Sequence, residues 1–386
     1  MTSPPLIFNR NDYPTLGVEL EVQLVDHHTM GLVSAIEPIL KNLPPGLENR
    51  IKPELMQCYL EVNTDVCRTV DEVGIDLADK VAAVERAANP LGVKVHWSGT
   101  HPFSNWRHQE VTNNARYHQL IEQMEDTARR LVTFGLHVHV GVDTGDKAIM
   151  ICDRIVRHLP TLLALSSNSP FWNGRDTGLC SQRIKVLENL PTAGPPPLMR
   201  NWSEFVWLVR TLIKTGFIQT IREIWWDVRP HHGFGTVEVR VCDTPADLKT
   251  VLALTALVQC LVHALSKEID NGVYFVDSHP MMARQNRWRA CRYGLDAELV
   301  DPFNQEPRPA RKLVEQLVAL LRPVADELGC TKHLETALEL AAQPSGASRQ
   351  RVDYAETHDL AEVVRRGLAR SRLTPSSIPT PVTATV

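Results

Sequence analysis

The chain has 386 residues, of which 43% are hydrophobic and 22% charged, and a net charge of -4. That length can bury a large core, and so mild a charge balance gives no electrostatic basis for nucleic acid or an anionic membrane as the main partner. Eight scattered cysteines without a Cys-x-x-Cys pair, and an N-terminus with neither a basic nor an apolar leader, point to a reduced, cytoplasmic protein.

The first element is a short apolar strand, Thr15-Leu16-Gly17-Val18-Glu19-Leu20-Glu21-Val22-Gln23-Leu24. Side chains alternate along a strand, so Glu19 and Glu21 share one face while Val18, Leu20 and Val22 share the other. Two carboxylates about 7 Å apart on one face need a cation between them or water above them. Metal ligation and a solvated edge both satisfy that need. Adjacent histidines point apart on extended backbone, so His27-His28 reads as a solvated hairpin tip. Residues 51–64 read as extended and carry Glu54 and Glu61, the latter in an apolar run where an unpaired charge is costly. An amphipathic helix follows over 71–88, with Val73, Leu77, Val81 and Val84 on one face. The strand 93–99 runs into Thr100-His101-Pro102, where His101 is either ligand-facing or a plain turn histidine.

A helix begins over 117–127, and 132–142 is a strand with His137 and His139 on one face. Residues 149–166 read as one long apolar helix. The turn-rich stretch 167–178 holds Phe171, Trp172 and Arg175, which suits either a binding loop or a plug for the core. Arg183 follows, then an amphipathic helix over 202–215. A strand over 221–230, the turn His231-His232-Gly233-Phe234-Gly235 and a strand over 236–241 form a hairpin, with Glu238 and Arg240 on one face. The apolar helix 248–265 is interrupted by Lys249, Thr250, Gln259 and His263, so it reads as a core helix rather than a membrane span. Arg284, Arg287, Arg289 and Arg292 lie on a further helix, 281–293, but do not share one face. Helices over 311–328, 333–342 and 352–368 complete a single domain, 1–370. The Pro-, Ser- and Thr-rich tail 371–386 is expected to be disordered.

Four strand-like segments thus present acids, imidazoles or a guanidinium from apolar runs, and one polar cleft on one sheet accounts for them together. Several segments resemble the YbdK-like carboxylate-amine ligases of the glutamate–cysteine ligase type 2 family, within the glutamine synthetase superfamily. They are Gly17-Val18-Glu19-Leu20-Glu21, Gly99-Thr100-His101-Pro102, His137-Val138-His139-Val140-Gly141, Gly174-Arg175-Asp176-Thr177-Gly178, Val237-Glu238-Val239-Arg240 and Asn286-Arg287-Trp288-Arg289-Ala290, in this order. The resemblance implies an α+β fold in which a curved antiparallel sheet walls the active site and helices cover its outer face, like a glutamine synthetase catalytic domain. It implies Mg²⁺ or Mn²⁺ held by Glu19, Glu21, Glu54, Glu61, His137 and Glu238. His139 would approach ATP, and Arg240 would bind it and act on the transferred phosphoryl group. His101, Arg175, Arg183 and Arg289 are the expected substrate contacts.

The implied reaction is ATP-dependent amide formation between small molecules, such as glutamate and cysteine, with weak glutamate–cysteine ligase activity giving γ-glutamylcysteine; a homodimer is compatible with it. Its logic agrees with the residues. A carboxylate is a poor acyl donor until phosphorylated, and phosphoryl transfer asks for positioning and charge neutralisation, which a carboxylate-held divalent cation and an arginine provide. A metal-dependent amidase, or a non-catalytic nucleotide- or metal-binding protein, would use the same cluster differently.

Overall fold

The computed structural model describes residues 6–273, 279–301, 306–373 and 378–379. Seven strands form the main sheet: β1 (Leu16–Asp26), β2 (Ile51–Pro53), β3 (Tyr59–Asn63), β4 (Val93–His96), β5 (Gly135–Gly141), β6 (Val228–His231) and β7 (Thr236–Asp243). They lie in the order β2-β3-β1-β5-β7-β6, with β4 pairing on β1 beyond the end of β5. Every pairing is antiparallel, and the sheet is open, as the α+β reading expects.

The period of two divides the sheet into a wet and a dry face. Val18, Leu20 and Val22 of β1, Leu136, Val138 and Val140 of β5, and Val237 and Val239 of β7 all enter one core. Helices Val70–Ala88 and Leu248–Asp270 cover that face. Both begin with a side-chain cap that takes up an otherwise unpaired N–H: Thr69 accepts from Glu72, and Asp247 from Thr250. Among the described residues only Leu248–Asp270 is long and apolar enough to cross a membrane, and 83% of its apolar window lies inside the fold. Leu20 is fully buried in this core. Leu20→Ala should therefore cost about 2–5 kcal/mol of unfolding free energy in a denaturant titration, and a loss below about 1 kcal/mol would place it outside the main core.

One irregularity interrupts the alternation. The β5–β7 register slips between Leu136 and Val138, which pair with Cys242 and Val239, so Arg240 and Val241 together face the single residue His137. Arg240 keeps the wet face by simple alternation from Glu238, and it is after the bulge that Val241 and Cys242 both enter the core.

Several sequence expectations change. The helix expected over 149–166 is two, Gly145–Ile155 and Leu159–Ser166. Pro160 has no N–H to continue a helix and sits instead in the first turn of the second. The strand expected over 221–230 starts only at Val228. Ahead of it Thr220 and Glu223 form a reciprocal capping box around the helical turn Ile221–Glu223. The helix over 352–368 is also two, Gly346–Thr357 and Leu360–Ser371, separated at His358 in the left-handed region (φ 52°). Phe171 and Trp172 are buried and serve as core plugs, and the His27-His28 turn is exposed as expected. All eight cysteines are free and buried. Of the tail, 374–377 and 380–386 lie outside the described residues, whereas Leu373 and Ile378 pack on the core.

Candidate active site

The wet face of the sheet floors a cavity of about 360 Å³. Register decides which side chains meet there: Glu19 lies opposite His137 and Asn63, Glu21 opposite Glu61, and Glu238 opposite both His139 and Arg229. Two sets of ligand atoms come within 4.8 Å of one another, Glu19/His137/Glu238 and Glu21/Glu61/His137. His137 is common to both.

His137 Nδ1 is 3.0 Å from Glu19 Oε2. Burial tends to raise the Glu19 carboxyl, but hydrogen bonds from His137 and His139 outweigh it and hold Glu19 well below the ordinary carboxylate range. Burial also holds the His137 imidazole below its usual value, with the charge of Arg240 adding to that effect. A neutral imidazole donating from Nδ1 to an acceptor-only carboxylate must carry its lone pair on Nε2. That Nε2 is buried and has no hydrogen-bond partner.

The acids are unequal. Glu238 is fully buried and bracketed by two guanidiniums: Arg229 Nε at 2.7 Å and Nη2 at 3.2 Å, with Arg240 Nη1 on its Oε1. Burial opposes its charge, but Arg229 and Arg240 win and keep it well below the usual range. Glu61 accepts from Asn63 Nδ2 at 2.7 Å and lies 3.7 Å from Lys52 Nζ. Even so, burial and the charge of Glu19 push it up to about 8. Glu54, in the turn between β2 and β3, is driven well above the ordinary range by burial and by Glu61, Glu21 and Glu19. The Glu54/Glu61 side therefore has more negative charge than its neighbours neutralise. An orphaned imidazole nitrogen amid crowded carboxylate oxygens fits a hard divalent cation such as Mg²⁺ or Mn²⁺, and no cysteine lines the cavity to favour structural zinc.

Comparison with known proteins agrees with this geometry. The family model described as "Glutamate-cysteine ligase family 2(GCS2)" matches residues 15–366. A relative named "Putative glutamate--cysteine ligase 2" from Gloeobacter violaceus is 44% identical over 366 residues, covering 94% of this chain and 98% of its own length. The chain belongs to glutamate–cysteine ligase family 2. It is accordingly an ATP-dependent carboxylate-amine ligase. A family-2 relative of the same name from Thermobifida fusca is 42% identical over 361 residues, covering 92% of this chain and 90% of its own. The fold is also that of a glutamate–cysteine ligase from Francisella tularensis solved in complex with AMP, with a TM-score of 0.70 at 12% identity, covering 96% of this chain and 91% of that one.

In this family-2 ligase, Glu19, Glu21, Glu54, Glu61, His137, His139, Arg183, Glu238 and Arg240 all line the one cavity. Arg183 does so from behind. Its guanidinium is buried and donates to the carbonyls of Arg240 (3.2 Å) and Val241 (3.5 Å), closing the bulge. It can lie there because residue 135 is glycine, where a Cβ would stand 2.2 Å from Arg183 Nη2. The Gly135 N–H in turn donates to Glu21 Oε2 at 2.5 Å.

The other three expected substrate contacts lie outside the cavity lining. His101 is buried, bonds the Met30 carbonyl through Nε2 at 2.9 Å and accepts from the Ser104 N–H through Nδ1 at 3.0 Å. Both ring nitrogens are therefore committed to holding loops, and burial lowers the ring to about 4. Arg175 is exposed on a two-residue hairpin with Phe171–Trp172. Arg289 donates to the Glu298 carbonyl at 2.8 Å.

Sequence reasoning missed four cations that line the cavity: Lys52, Arg116, Arg222 and Arg229. Only Arg229 lay in a hairpin that the sequence outlined, but counting outward from a His231–Gly235 turn sets it opposite Val237; because His231 belongs to β6 and pairs with Thr236, Arg229 lies opposite Glu238 instead. Asp227 was missed as well. It lines the cavity with its carboxylate clamped by the buried Arg287, Nε to Oδ2 at 2.6 Å and Nη2 to Oδ1 at 3.0 Å, and its carbonyl accepts the Arg240 N–H at 2.8 Å.

Proposed function

We propose that this cavity activates the γ-carboxylate of glutamate by phosphorylation from ATP and passes the acyl group to an amine, with cysteine as the first acceptor to test. The carrying observation is the pair of three-residue sets sharing His137, whose Nε2 is left without a partner in a cavity rich in carboxylates. In this reading Glu19, His137 and Glu238 hold one Mg²⁺ or Mn²⁺, and Glu21, Glu61 and Glu54 contribute to a second. When bound, such ions neutralise the phosphates and polarise the phosphoryl oxygens.

The chain's own residues do the rest. Glu19 fixes the tautomer of His137, so the lone pair faces inward. Arg229 meets Glu238 through two nitrogens, so Arg240 can move to an incoming phosphoryl group without leaving Glu238 unpaired. Lys52, Arg116 and Arg222 also line the cavity and are suited to a substrate carboxylate. The reading treats 1–370 as one catalytic domain.

The test is an ADP-release assay across a panel of acids and amines with Mg²⁺ or Mn²⁺. ADP formation that requires both glutamate and an amine supports the ligase. Amide hydrolysis without ATP would instead identify a hydrolase. The two histidines should separate kinetically. His137→Ala should raise the Mn²⁺ concentration for half-maximal activity by about 10- to 100-fold, whereas His139→Ala should chiefly raise KM for ATP. The reverse pattern would contradict the assigned roles.

A further inference from the structure

At the end of the cavity beside Glu238, the β6–β7 turn carries two rings that metal binding and phosphoryl transfer leave unused. His231 and Phe234 stack with centroids 4.1 Å apart and planes 14° apart. His139 meets each of them edge-on at 5.6 Å. Phe234 lines the cavity yet keeps 58% of its surface exposed, so its face away from His231 is uncovered. The other lining aromatics, Tyr59, Tyr117, Trp225 and Trp226, pack with the second and third apolar clusters instead.

A single exposed aromatic is ordinary, but this one sits on a turn that the segment before β1 holds at four points. Asn9 Nδ2 donates to the Gly233 carbonyl at 2.6 Å, and the Asn9 N–H to the His232 carbonyl at 2.9 Å. Asn11 Nδ2 donates to the carbonyls of Phe234 and Gly235, both at 2.8 Å. The Phe234 N–H is taken by His231 Nδ1 at 3.1 Å, which fixes the two rings relative to each other. Residue 235 has φ +66°, and a Cβ there would lie 1.5 Å from the Asn9 carbonyl oxygen, so only glycine lets the segment dock this closely. Surface turns normally leave their carbonyls to water. Here two asparagines occupy them, and the ring they immobilise faces the cavity.

We propose that His231 and Phe234 form a platform on which the planar base of the nucleotide stacks, with Asn9 and Asn11 as positioning residues that hold the platform. This rests on the ATP-dependent ligase reading and adds where the base is gripped. The location suits it, because His139 links the platform to the phosphoryl-transfer end: its Nε2 lies 3.4 Å from Glu19 Oε1 and 4.0 Å from Glu238 Oε1. Stacking reads no base edge, so the platform should hold adenine and guanine alike.

Equilibrium binding of ATP, GTP and inorganic tripolyphosphate to the full chain with Mg²⁺, by calorimetry, tests this. Wild type should bind both nucleotides about tenfold more tightly than tripolyphosphate, a modest stacking contribution. Phe234→Ala should lose that advantage for both nucleotides and leave tripolyphosphate binding unchanged. Phe234→Trp should restore it, and Asn11→Ala should lose part of it. In turnover assays Phe234→Ala should raise KM for ATP about tenfold while kcat changes less than about threefold. Unaltered nucleotide affinity in Phe234→Ala would overturn the platform while leaving the ligase reading intact. Equal weakening of ATP and tripolyphosphate would overturn it too, because the turn would then be acting only through the phosphate end. A wild-type protein that binds no ATP would overturn both.

Discussion

Glu19→Gln and Glu21→Gln should each lower turnover by more than about 100-fold at saturating Mg²⁺ while the circular dichroism spectrum stays that of the wild type. Losing a partner outside the ligand shell already costs about 10- to 100-fold, and either substitution removes charge from the proposed shell itself. Stability should separate the acids in a way that charge counting alone does not suggest. Glu19 is held well below the usual carboxylate range, net of its burial, by His137 and His139, so the fold favours its ionised form and Glu19→Gln should cost about 1 kcal/mol. Glu61 has the opposite sign. Burial and Glu19 raise it to about 8, so in the metal-free protein its own contribution to stability is greatest at acid pH and falls as pH rises from the ordinary carboxylate range through the folded value. Glu61→Gln should therefore raise the metal-free Tm, with a margin that widens from about pH 5 to about pH 8 and closes when Mn²⁺ is added to both proteins. Near-wild-type activity of both Glu19→Gln and Glu21→Gln would remove the metal assignment. A Glu61→Gln margin that ignores Mn²⁺ would remove Glu61 from it.

Arg240→Ala should lower kcat by about 100- to 1,000-fold with little change in ATP affinity, as expected for a charge that acts mainly in the transition state. The geometry also supplies the competing account, because Arg240 is paired with Glu238. Arg229 decides what removal does to that acid. It already meets Glu238 through Nε and Nη2, so Arg240→Ala leaves Glu238 paired, and the metal concentration for half-maximal activity should move little. Arg240→Lys keeps the charge but loses the planar fork, and should recover only part of the rate. Recovery of most of the Arg240→Ala loss by excess Mn²⁺, together with a lowered Tm, would instead make Arg240 a strand-ordering residue. Measuring kcat, KM for ATP and Tm across a Mn²⁺ titration separates these cases.

The local pattern of the site was legible residue by residue. Glu19 with Glu21, His137 with His139, and Glu238 with Arg240 share faces because a strand's period of two follows from backbone geometry alone, and apolar neighbours such as Val18, Leu20 and Val239 mark the buried side. The helices 71–88 and 248–265 were legible because their apolar pattern lies within one short window, while their side-chain caps, Thr69 and Asp247, came only with the structure. Long-range pairing was not encoded in any such window. The slip that sets Arg240 and Val241 against His137 depends on how β7 meets β5, and the groove that admits Arg183 depends on the missing Cβ of Gly135. His101 read equally well as ligand-facing or as a turn histidine, and the choice was made by Met30, 71 residues away, which takes Nε2 while the nearby Ser104 takes Nδ1. The ordering of the acids is likewise tertiary. Glu19, Glu61 and Glu238 are the same residue type on one sheet, yet their protonation diverges because desolvation and the partners His137, Lys52 and Arg229 arrive from other segments. Periodicity assigns a side chain to a face, but only the packed chain determines what it meets there and whether water remains to solvate its charge.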